Sequence, residues 1–304
     1  MPPIDEQGVT TKVSDKVLRL GLPKGSLQEA TMEILRNAGY KISVDERQYR
    51  PHVDDEEIWS VLLRAQEMPG YVQDGILDCG LTGLDWIKER EADVVEVADL
   101  VYSKRNMRPY KWVLAVHESS DIKGPEDLGG RRIATELLNV AKRYLADHGV
   151  EAQVEFSWGA TEAKCPSLVD AVIEGTETGS TLRANGLKIV DVLFESTTKL
   201  IANRSAWADP WKRHKIEDLA LLIRGALAAE EKVGLKMNVA KGDLEGVLGC
   251  LPALKEPTVS QLSNREWAAV ETIIDKRQVR ELIPQLKAAG AQGIIEYPLN
   301  KVIP

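Results

Sequence analysis

From Val17 onward the chain alternates apolar and polar blocks. Val17–Leu22 is short and apolar-rich, and Pro23-Lys24-Gly25 breaks it at once. Ser26 can cap a helix through Leu27–Ala38, where Leu27, Ala30, Ile34 and Leu35 fall near helical spacing and Gly39 supplies the stop. That is a β-turn-α unit. Ile58–Leu63, Gly75–Leu81 and Val94–Ala98 read as further strands, with Leu84–Glu91 helical between two of them. Strands alternating with helices predict a mainly parallel, doubly wound sheet.

The alternation then begins again. Lys111–Val116 reads as a strand, Gly124–Gly130 as a turn-rich connection, Arg132–Thr135 as a short strand and Leu137–His148 as a helix closed by Gly149. Val154–Ser157, Leu168–Glu174 and Leu187–Phe194 supply more strand segments. A second α/β lobe is expected, joined near Ser103–Tyr110, where Pro109 and the charges Lys104, Arg105 and Arg108 suit an exposed hinge. Beyond about Lys232 the pattern changes. Val233–Val239 alternates, Gly242–Leu251 is a short helical piece, and Glu256–Leu262 and Trp267–Ile274 are strand-like. A helix over Val279–Ala289 and a last strand over Gly293–Val302 complete the order β-α-β-β-α-β of a ferredoxin-like module. Such an appended module is more often regulatory or oligomeric than catalytic.

The expected architecture is therefore an α/β, two-lobed, periplasmic-binding-protein-like body followed by that small module. Residues 1–106 with 203–228 would form the first lobe, 107–202 the second, and 229–304 the ferredoxin-like domain.

Composition narrows the class. The 304 residues are 43% hydrophobic and 28% charged, an ordinary globular balance. A net charge of -8 argues against a nucleic-acid partner, which would call for a basic face. Cys79, Cys165 and Cys250 are far apart and have no CxxC or His/Cys company, so neither a disulfide framework nor a zinc site is expected. The first fifteen residues are polar, with no signal-peptide core, and no stretch reaches the roughly 18–20 apolar residues of a membrane span. A loose N-terminal tail, a cytoplasmic location and no membrane partner are the expectations.

The densest chemical signal is Asp170-Ala-Val-Ile-Glu-Gly-Thr-Glu-Thr-Gly-Ser-Thr-Leu-Arg-Ala-Asn-Gly186. It starts as an apolar strand carrying Asp170 and Glu174, which lie on the same face roughly 13 Å apart if the strand is fully extended. Thr176, Thr178, Gly179, Ser180 and Thr181 then form a hydroxyl- and glycine-rich loop before a helical start at Leu182. Successive backbone N–H groups there could cradle a dianionic phosphate. The competing reading is a helix after a strand, with Ser and Thr acting only as caps. Acids beside a phosphate loop make sense if they face a ribose diol, and that combination suits a sugar phosphate.

This segment resembles the phosphoribosyl-pyrophosphate loop of the ATP phosphoribosyltransferase family. Three more blocks carry the resemblance in order. Leu20-Gly-Leu-Pro-Lys-Gly-Ser-Leu27 is similar to the family's N-terminal Lys-Gly-x-Leu turn. Asp74-Gly-Ile-Leu-Asp-Cys-Gly-Leu-Thr-Gly-Leu-Asp85 is similar to its G-x-x-D-x-G-I-T-G-x-D stretch. Arg132-Ile-Ala-Thr135 with Asn139 and Lys142-Arg-Tyr-Leu145 is similar to its R-I-A-T helix start, although Leu137-Leu138 stands where many members have Tyr-Pro. The C-terminal module resembles the histidine-binding regulatory domain of the family's long form.

The resemblance implies the residue roles. Thr176, Glu177, Thr178, Gly179, Ser180, Thr181 and Leu182 would hold the 5-phosphate, with Asp170 and Glu174 facing the ribose hydroxyls. Lys24 and Arg64 would offset charge on the pyrophosphate or the ATP phosphates. Thr82, Gly83 and Asp85 would line the inter-lobe cleft, with Glu136 and Asn139 on its nucleotide wall. Asp85 also reads as a helix-capping acid. The implied reaction joins N1 of the adenine of ATP to C1 of the ribose and releases pyrophosphate, with Mg²⁺ bridging pyrophosphate oxygens. The module implies histidine as an allosteric inhibitor, bound between neighbouring copies of a dimer or hexamer near Asn238, Leu254, Glu256, Thr258 and Gly293. Another class stays open: the same two-lobed architecture serves solute-binding and sensor proteins.

Overall fold

The computed structural model describes residues 16–44, 49–102, 109–252 and 256–303. The expected tail, most of the expected hinge and Leu254 lie outside them. The chain forms two compact units: one runs to Arg36 and over Tyr40–Ala220, the other takes Asn37–Gly39 and the residues from Leu221 onward.

In the first unit, β1 (Leu18–Lys24) leads into α1 (Gln28–Ala38), and β2 (Ile42–Ser43) pairs with β3 (His52–Val53) in a small antiparallel ribbon. Then come β4 (Ile58–Arg64), α2 (Met68–Gln73), β5 (Cys79–Gly83), α3 (Leu84–Arg90) and β6 (Val95–Leu100). The second lobe holds β7 (Tyr110–His117), β8 (Arg132–Thr135), α4 (Leu138–Asp147), β9 (Gln153–Phe156), β10 (Ala171–Thr176), α5 (Ser180–Ala184) and β11 (Leu187–Ser196). The chain returns through β12 (Thr198–Ala202), α6 (Arg204–Ala208) and α7 (Pro210–Glu230).

The strand orders are β4-β1-β5-β12-β6 and β11-β7-β10-β8-β9. Both sheets are mainly parallel in strand direction, as expected, with one reversed strand each, β12 in the first and β7 in the second. β1 runs parallel to β4 and β5, while β12 is antiparallel to β5 and β6. In the second sheet β8 runs parallel to β9 and β10, while β7 is antiparallel to β10 and β11. The pairing of β12 corrects the expected lobe boundary. Thr198–Ala202 pairs in the first sheet, so the return crossing falls at residue 197 instead of after 202.

β7 shows why these strands read as unbroken apolar runs. Trp112, Leu114 and Val116 join the core with Val140, Ala141 and Leu145 of α4. Val113 and Ala115 join the core on the other side, with Leu182 of α5. Both faces are covered, so no alternation survives in the sequence. In the first lobe α2 packs close to its sheet: a Cβ at Gly21 would lie 2.2 Å, and one at Gly80 2.6 Å, from the Met68 sulfur.

Asp78 fastens the first lobe. Its carboxylate, 2% exposed, accepts from Arg19 N at 2.8 Å and Arg19 Nη2 at 3.0 Å, and from Lys212 Nζ of α7 at 2.8 Å. Burial alone would raise its pKa, but Arg19 and Lys212 outweigh that and hold it below the usual carboxylate range. Asp78→Ala leaves two cations facing each other with their anion gone, so it should cost about 3–5 kcal/mol in urea unfolding. A loss under 1 kcal/mol would show that the network adds little.

The second unit has β13 (Lys232–Ala240), α8 (Leu244–Cys250), β14 (Thr258–Gln261), β15 (Trp267–Asp275), α9 (Lys276–Ala288) and β16 (Gln292–Pro298). Its sheet order is β14-β15-β13-β16 with every pair antiparallel, the ferredoxin-like arrangement expected from the element order.

Candidate active site

A cavity of about 400 Å³ opens between the two lobes of the first unit. One wall is cationic. Lys24 and Arg64 end the parallel strands β1 and β4 and are directly opposite in register. Neither pairs with a carboxylate among the described residues, and Lys24 Nζ rests 3.7 Å from the centroid of the Tyr49 ring. Two adjacent cations at strand ends can attract a multiply charged anion.

Four carboxylates line the same cavity: Asp85 from the first lobe, next to the cations' own sheet, and Glu136, Glu174 and Glu177 from the second. Asp85 sits in the first turn of α3, where its Oδ2 accepts from Trp112 Nε1 at 2.9 Å and its Oδ1 from Trp86 N at 3.0 Å. The Trp112 bond crosses to the second lobe. A Cβ at Gly83 would fall 2.0 Å from Asp85 Oδ1, so the glycine lets that carboxylate fold back. Burial raises the Asp85 pKa in spite of these donors. Glu136 follows β8, and burial, then the charge of Asp85, raises its pKa. Glu174 in β10 has one oxygen, Oε2, buried with no hydrogen-bond partner. Burial is the main cause that pushes its pKa to about 7, and the charges of Glu136 and Glu162 add to it.

That shift has a sign that can be measured. Between the ordinary value of 4.5 and about 7 the folded protein holds a proton on Glu174 that the unfolded chain has released. Stability from this group therefore declines as pH rises through that window and is flat above it. Glu174→Gln should remove the decline in urea midpoints measured from pH 4.5 to 7.5. Parallel pH profiles for the two proteins would contradict the burial of this charge.

The 176–181 loop starts beside the cavity, with Glu177 on its wall. Gly179 has φ +71°, and its N–H donates to Thr176 Oγ1 at 2.8 Å. The Thr178 hydroxyl donates to Ser180 Oγ at 3.0 Å. Thr178, Ser180 and Thr181 are exposed. The chain thus makes a tight turn with outward hydroxyls before α5.

Several expected contacts fall elsewhere. Asp170 precedes β10 at the end opposite Glu174, where its carboxylate accepts from Arg132 N at 2.9 Å and Arg131 Nη1 at 3.3 Å. It does not line the cavity, because three strand residues separate the two acids. Leu182 is 1% exposed and belongs to the second lobe's core. Thr82 is fully buried and donates to Ala65 O at 2.8 Å, tying β5 to a cavity-lining backbone. Asn139 N and Val140 N donate to the Glu89 carboxylate at 3.0 Å, and Asn139 Nδ2 donates to Glu89 O at 2.9 Å. Asn139 is therefore a clasp between α4 and α3 instead of a cavity wall. Leu137 is buried in the core, so the tyrosine place is not a nucleotide contact. Trp86, Tyr102, Tyr110 and Trp112 line the cavity and supply the aromatic surface that sequence reading missed. Trp112, inside the predicted strand KWVLAV, was the available signal.

In the second unit Asn238 of β13 and Gly293 of β16 are neighbours: a Cβ at Gly293 would lie 3.9 Å from Asn238 Nδ2. Glu256 and Thr258 are exposed near β14, at the far edge of the same sheet. With strands about 4.8 Å apart, three spacings separate β14 from β16. One copy does not gather these residues into one pocket.

Comparison with known proteins follows the same lines. The family model described as ATP phosphoribosyltransferase matches residues 64–225, and the model described as HisG, C-terminal domain matches residues 229–301. An ATP phosphoribosyltransferase of Desulforudis audaxviator is 63% identical over 287 residues, covering 94% of this chain and 99% of that protein. One from Chlorobium luteolum is 60% identical over 290 residues, covering 95% and 99%. Among solved structures, the ATP phosphoribosyl transferase (HisG:HisZ) complex from Thermotoga maritima aligns with a TM-score of 0.59 at 26% identity, covering 68% of this chain and 99% of that one.

Proposed function

The chain belongs to the ATP phosphoribosyltransferase family, and from that premise we propose how its cavity works and how its second unit regulates it. It is a long-form member, carrying the family's C-terminal domain. It is a pentosyltransferase that condenses ATP with 5-phosphoribosyl 1-pyrophosphate to N1-(5-phosphoribosyl)-ATP and pyrophosphate, the first step of histidine biosynthesis.

The observation that carries the site assignment is the charge of the cavity: Lys24 and Arg64, without a carboxylate partner among the described residues, share it with buried Asp85 and half-buried Glu136, Glu174 and Glu177. As the bond from C1 to pyrophosphate breaks, the leaving group gains negative charge and the ribose becomes oxocarbenium-like. Lys24 and Arg64 stabilise the first. Glu174 holds a ribose hydroxyl, which gives its unpartnered Oε2 a donor. Main-chain N–H groups and hydroxyls of the 176–181 loop hold the 5-phosphate. Such fixed charges need no reorganisation at the moment of reaction.

Magnesium is proposed as a companion of the pyrophosphate. Among the described residues no group of three or more His, Cys, Asp or Glu side chains is placed to hold a metal ion. The ion would ride on substrate oxygens, and no step here is routed through it. Among those residues, too, no helix is long and apolar enough to cross a membrane, which is compatible with the proposed cytoplasmic location.

For regulation, the spread of Asn238 and Gly293 from Glu256 and Thr258 supports a histidine pocket shared between copies of a homo-oligomer. Removing residues 229–304 should abolish inhibition by histidine while leaving the cavity's residues in the chain. Persisting inhibition would place the effector elsewhere. The assignment as a whole is tested by mixing the protein with ATP, phosphoribosyl pyrophosphate and Mg²⁺ and following pyrophosphate. Release that requires both substrates supports it; binding of both without release refutes it.

A further inference from the structure

The reaction places charge where the cleft has so far been given no partner for it. The N1 lone pair of adenine forms the new bond to C1, while the C1–O bond breaks and its electron pair leaves with pyrophosphate. The purine therefore gains one positive charge, which conjugation spreads onto the exocyclic N6 amine. A fixed anion beside N6 would be worth far more in that transition state than in the ground state, where adenine is neutral.

The cavity offers four carboxylates, and three are committed. Asp85 is held by Trp112 Nε1 and Trp86 N. Glu174 interacts with Thr161 and adjoins the proposed 5-phosphate loop. Glu177 lies within that loop and already has an interaction of its own. Glu136 lines the cavity with no hydrogen-bond partner among the described residues. Its position is rigid. Thr135 and Leu137 on either side are fully buried, and Leu137 N donates to Thr135 Oγ1 at 3.0 Å.

Resting on the family reading above, we propose that Glu136 accepts a hydrogen bond from N6 of ATP and neutralises the positive charge that develops on the purine as N1 attacks. The same contact selects a 6-amino purine, because the oxygen of a 6-oxo purine would face an anion. Without substrate the carboxylate is an unfavourable charge, strained by burial and by Asp85. The titratable groups that share its cavity are Asp85, Glu174, Glu177, Tyr102, Tyr110, Lys24 and Arg64. Burial, then the charge of Asp85, raises its pKa, so protonation on acidification removes the anion that the purine cation needs. The arrival of that cation relieves both burial and repulsion.

Glu136→Gln tests this, because the amide keeps the shape and removes the charge. The expected result is a kcat lower by about 10²-fold with a much smaller change in KM for ATP. The low-pH limb of the wild-type kcat profile should disappear, since the group that must be ionised is gone. Inosine triphosphate, used as a competitor against ATP, should bind better to the variant than to the wild type, because an amide N–H can donate to its 6-oxygen. Glu136→Asp should recover part of kcat. Folding is not at stake: removing a repelled buried charge should leave the urea midpoint unchanged or higher. An unchanged kcat, an unchanged acidic limb or an unaltered preference between the two nucleotides would each overturn the proposal. If wild-type protein releases no pyrophosphate from ATP and phosphoribosyl pyrophosphate, the family reading itself fails, independently of Glu136.

Discussion

Arg64→Ala should lower kcat/KM for the condensation by about 10²–10³-fold, with most of the loss in kcat. Arg64 and Lys24 end neighbouring parallel strands in direct register, and among the described residues no carboxylate neutralises either one. Their attraction for pyrophosphate grows as the C1–O bond breaks, so removing one cation raises the transition state more than the ground state. Arg64→Lys should restore only part of the rate, because an ammonium cannot grip two phosphate oxygens as a guanidinium does. Lys24→Ala combined with Arg64→Ala should cost less than the two single losses added, since both act on one leaving group. Steady-state kinetics with both substrates varied decides it. If only KM for ATP rises and kcat holds, Arg64 binds the nucleotide uniformly and does not serve the leaving group.

Gly179→Val should raise KM for phosphoribosyl pyrophosphate by about 10²-fold, the equivalent of losing two charge-assisted hydrogen bonds at roughly 1.5 kcal/mol each. The residue has φ +71°, a conformation that valine adopts only under strain. A Cβ there would also lie 2.9 Å from Arg183 Nη1 and 3.5 Å from Ile189 Cδ1. Relieving both contacts opens the turn, breaks the bond from Gly179 N to Thr176 Oγ1 and turns the N–H row away from the phosphate. The cost to the fold should be about 1–3 kcal/mol, because the strain falls on one turn leading into a five-residue helix. Far-UV circular dichroism and a urea titration separate the two effects. An unchanged KM in a folded variant would mean that the 5-phosphate lies elsewhere.

Much of this was readable from residues. Arg132–Thr135 is a strand between the boundaries predicted, and the β-α-β-β-α-β order of the C-terminal unit follows the periodicity of its segments. The α7 helix was missed because apolar residues also lie off its buried stripe, among them the exposed Leu221, and blur the helical period. Ile216, Leu219, Ala220, Ile223, Ala226 and Ala229 are buried at helical spacing, but Leu222, Leu227 and Ala228 fill the positions between them with further apolar residues. β12 was assigned to the wrong sheet because strand pairing is a long-range property: Leu200 meets Leu81, more than a hundred residues earlier.

The candidate site divides the same way. Lys24 and Arg64 were legible as polar residues ending apolar strands, and register then brought them together. Glu174 was legible beside its glycine-rich loop. Asp170 was grouped with it by proximity in sequence, although an extended strand carries the two acids to opposite ends and Arg131 and Arg132 take up the first. Asn139 looked like a nucleotide contact because it follows the R-I-A-T block. Its partner, Glu89, comes from a helix that no local pattern connects to it. The aromatic lining was illegible for a further reason. Trp112 and Tyr110 sit in a strand buried on both faces, where a cavity residue and a core residue look alike.

The central claim is that the 176–181 loop holds the 5-phosphate while Lys24 and Arg64 hold the pyrophosphate across the cavity. A crystal structure of the protein with phosphoribosyl pyrophosphate tests it directly. The account predicts 5-phosphate oxygens within hydrogen-bond distance of main-chain N–H groups of residues 178–181, and pyrophosphate oxygens against Arg64. A 5-phosphate seated on Lys24 and Arg64, with no phosphate on the loop, would contradict it.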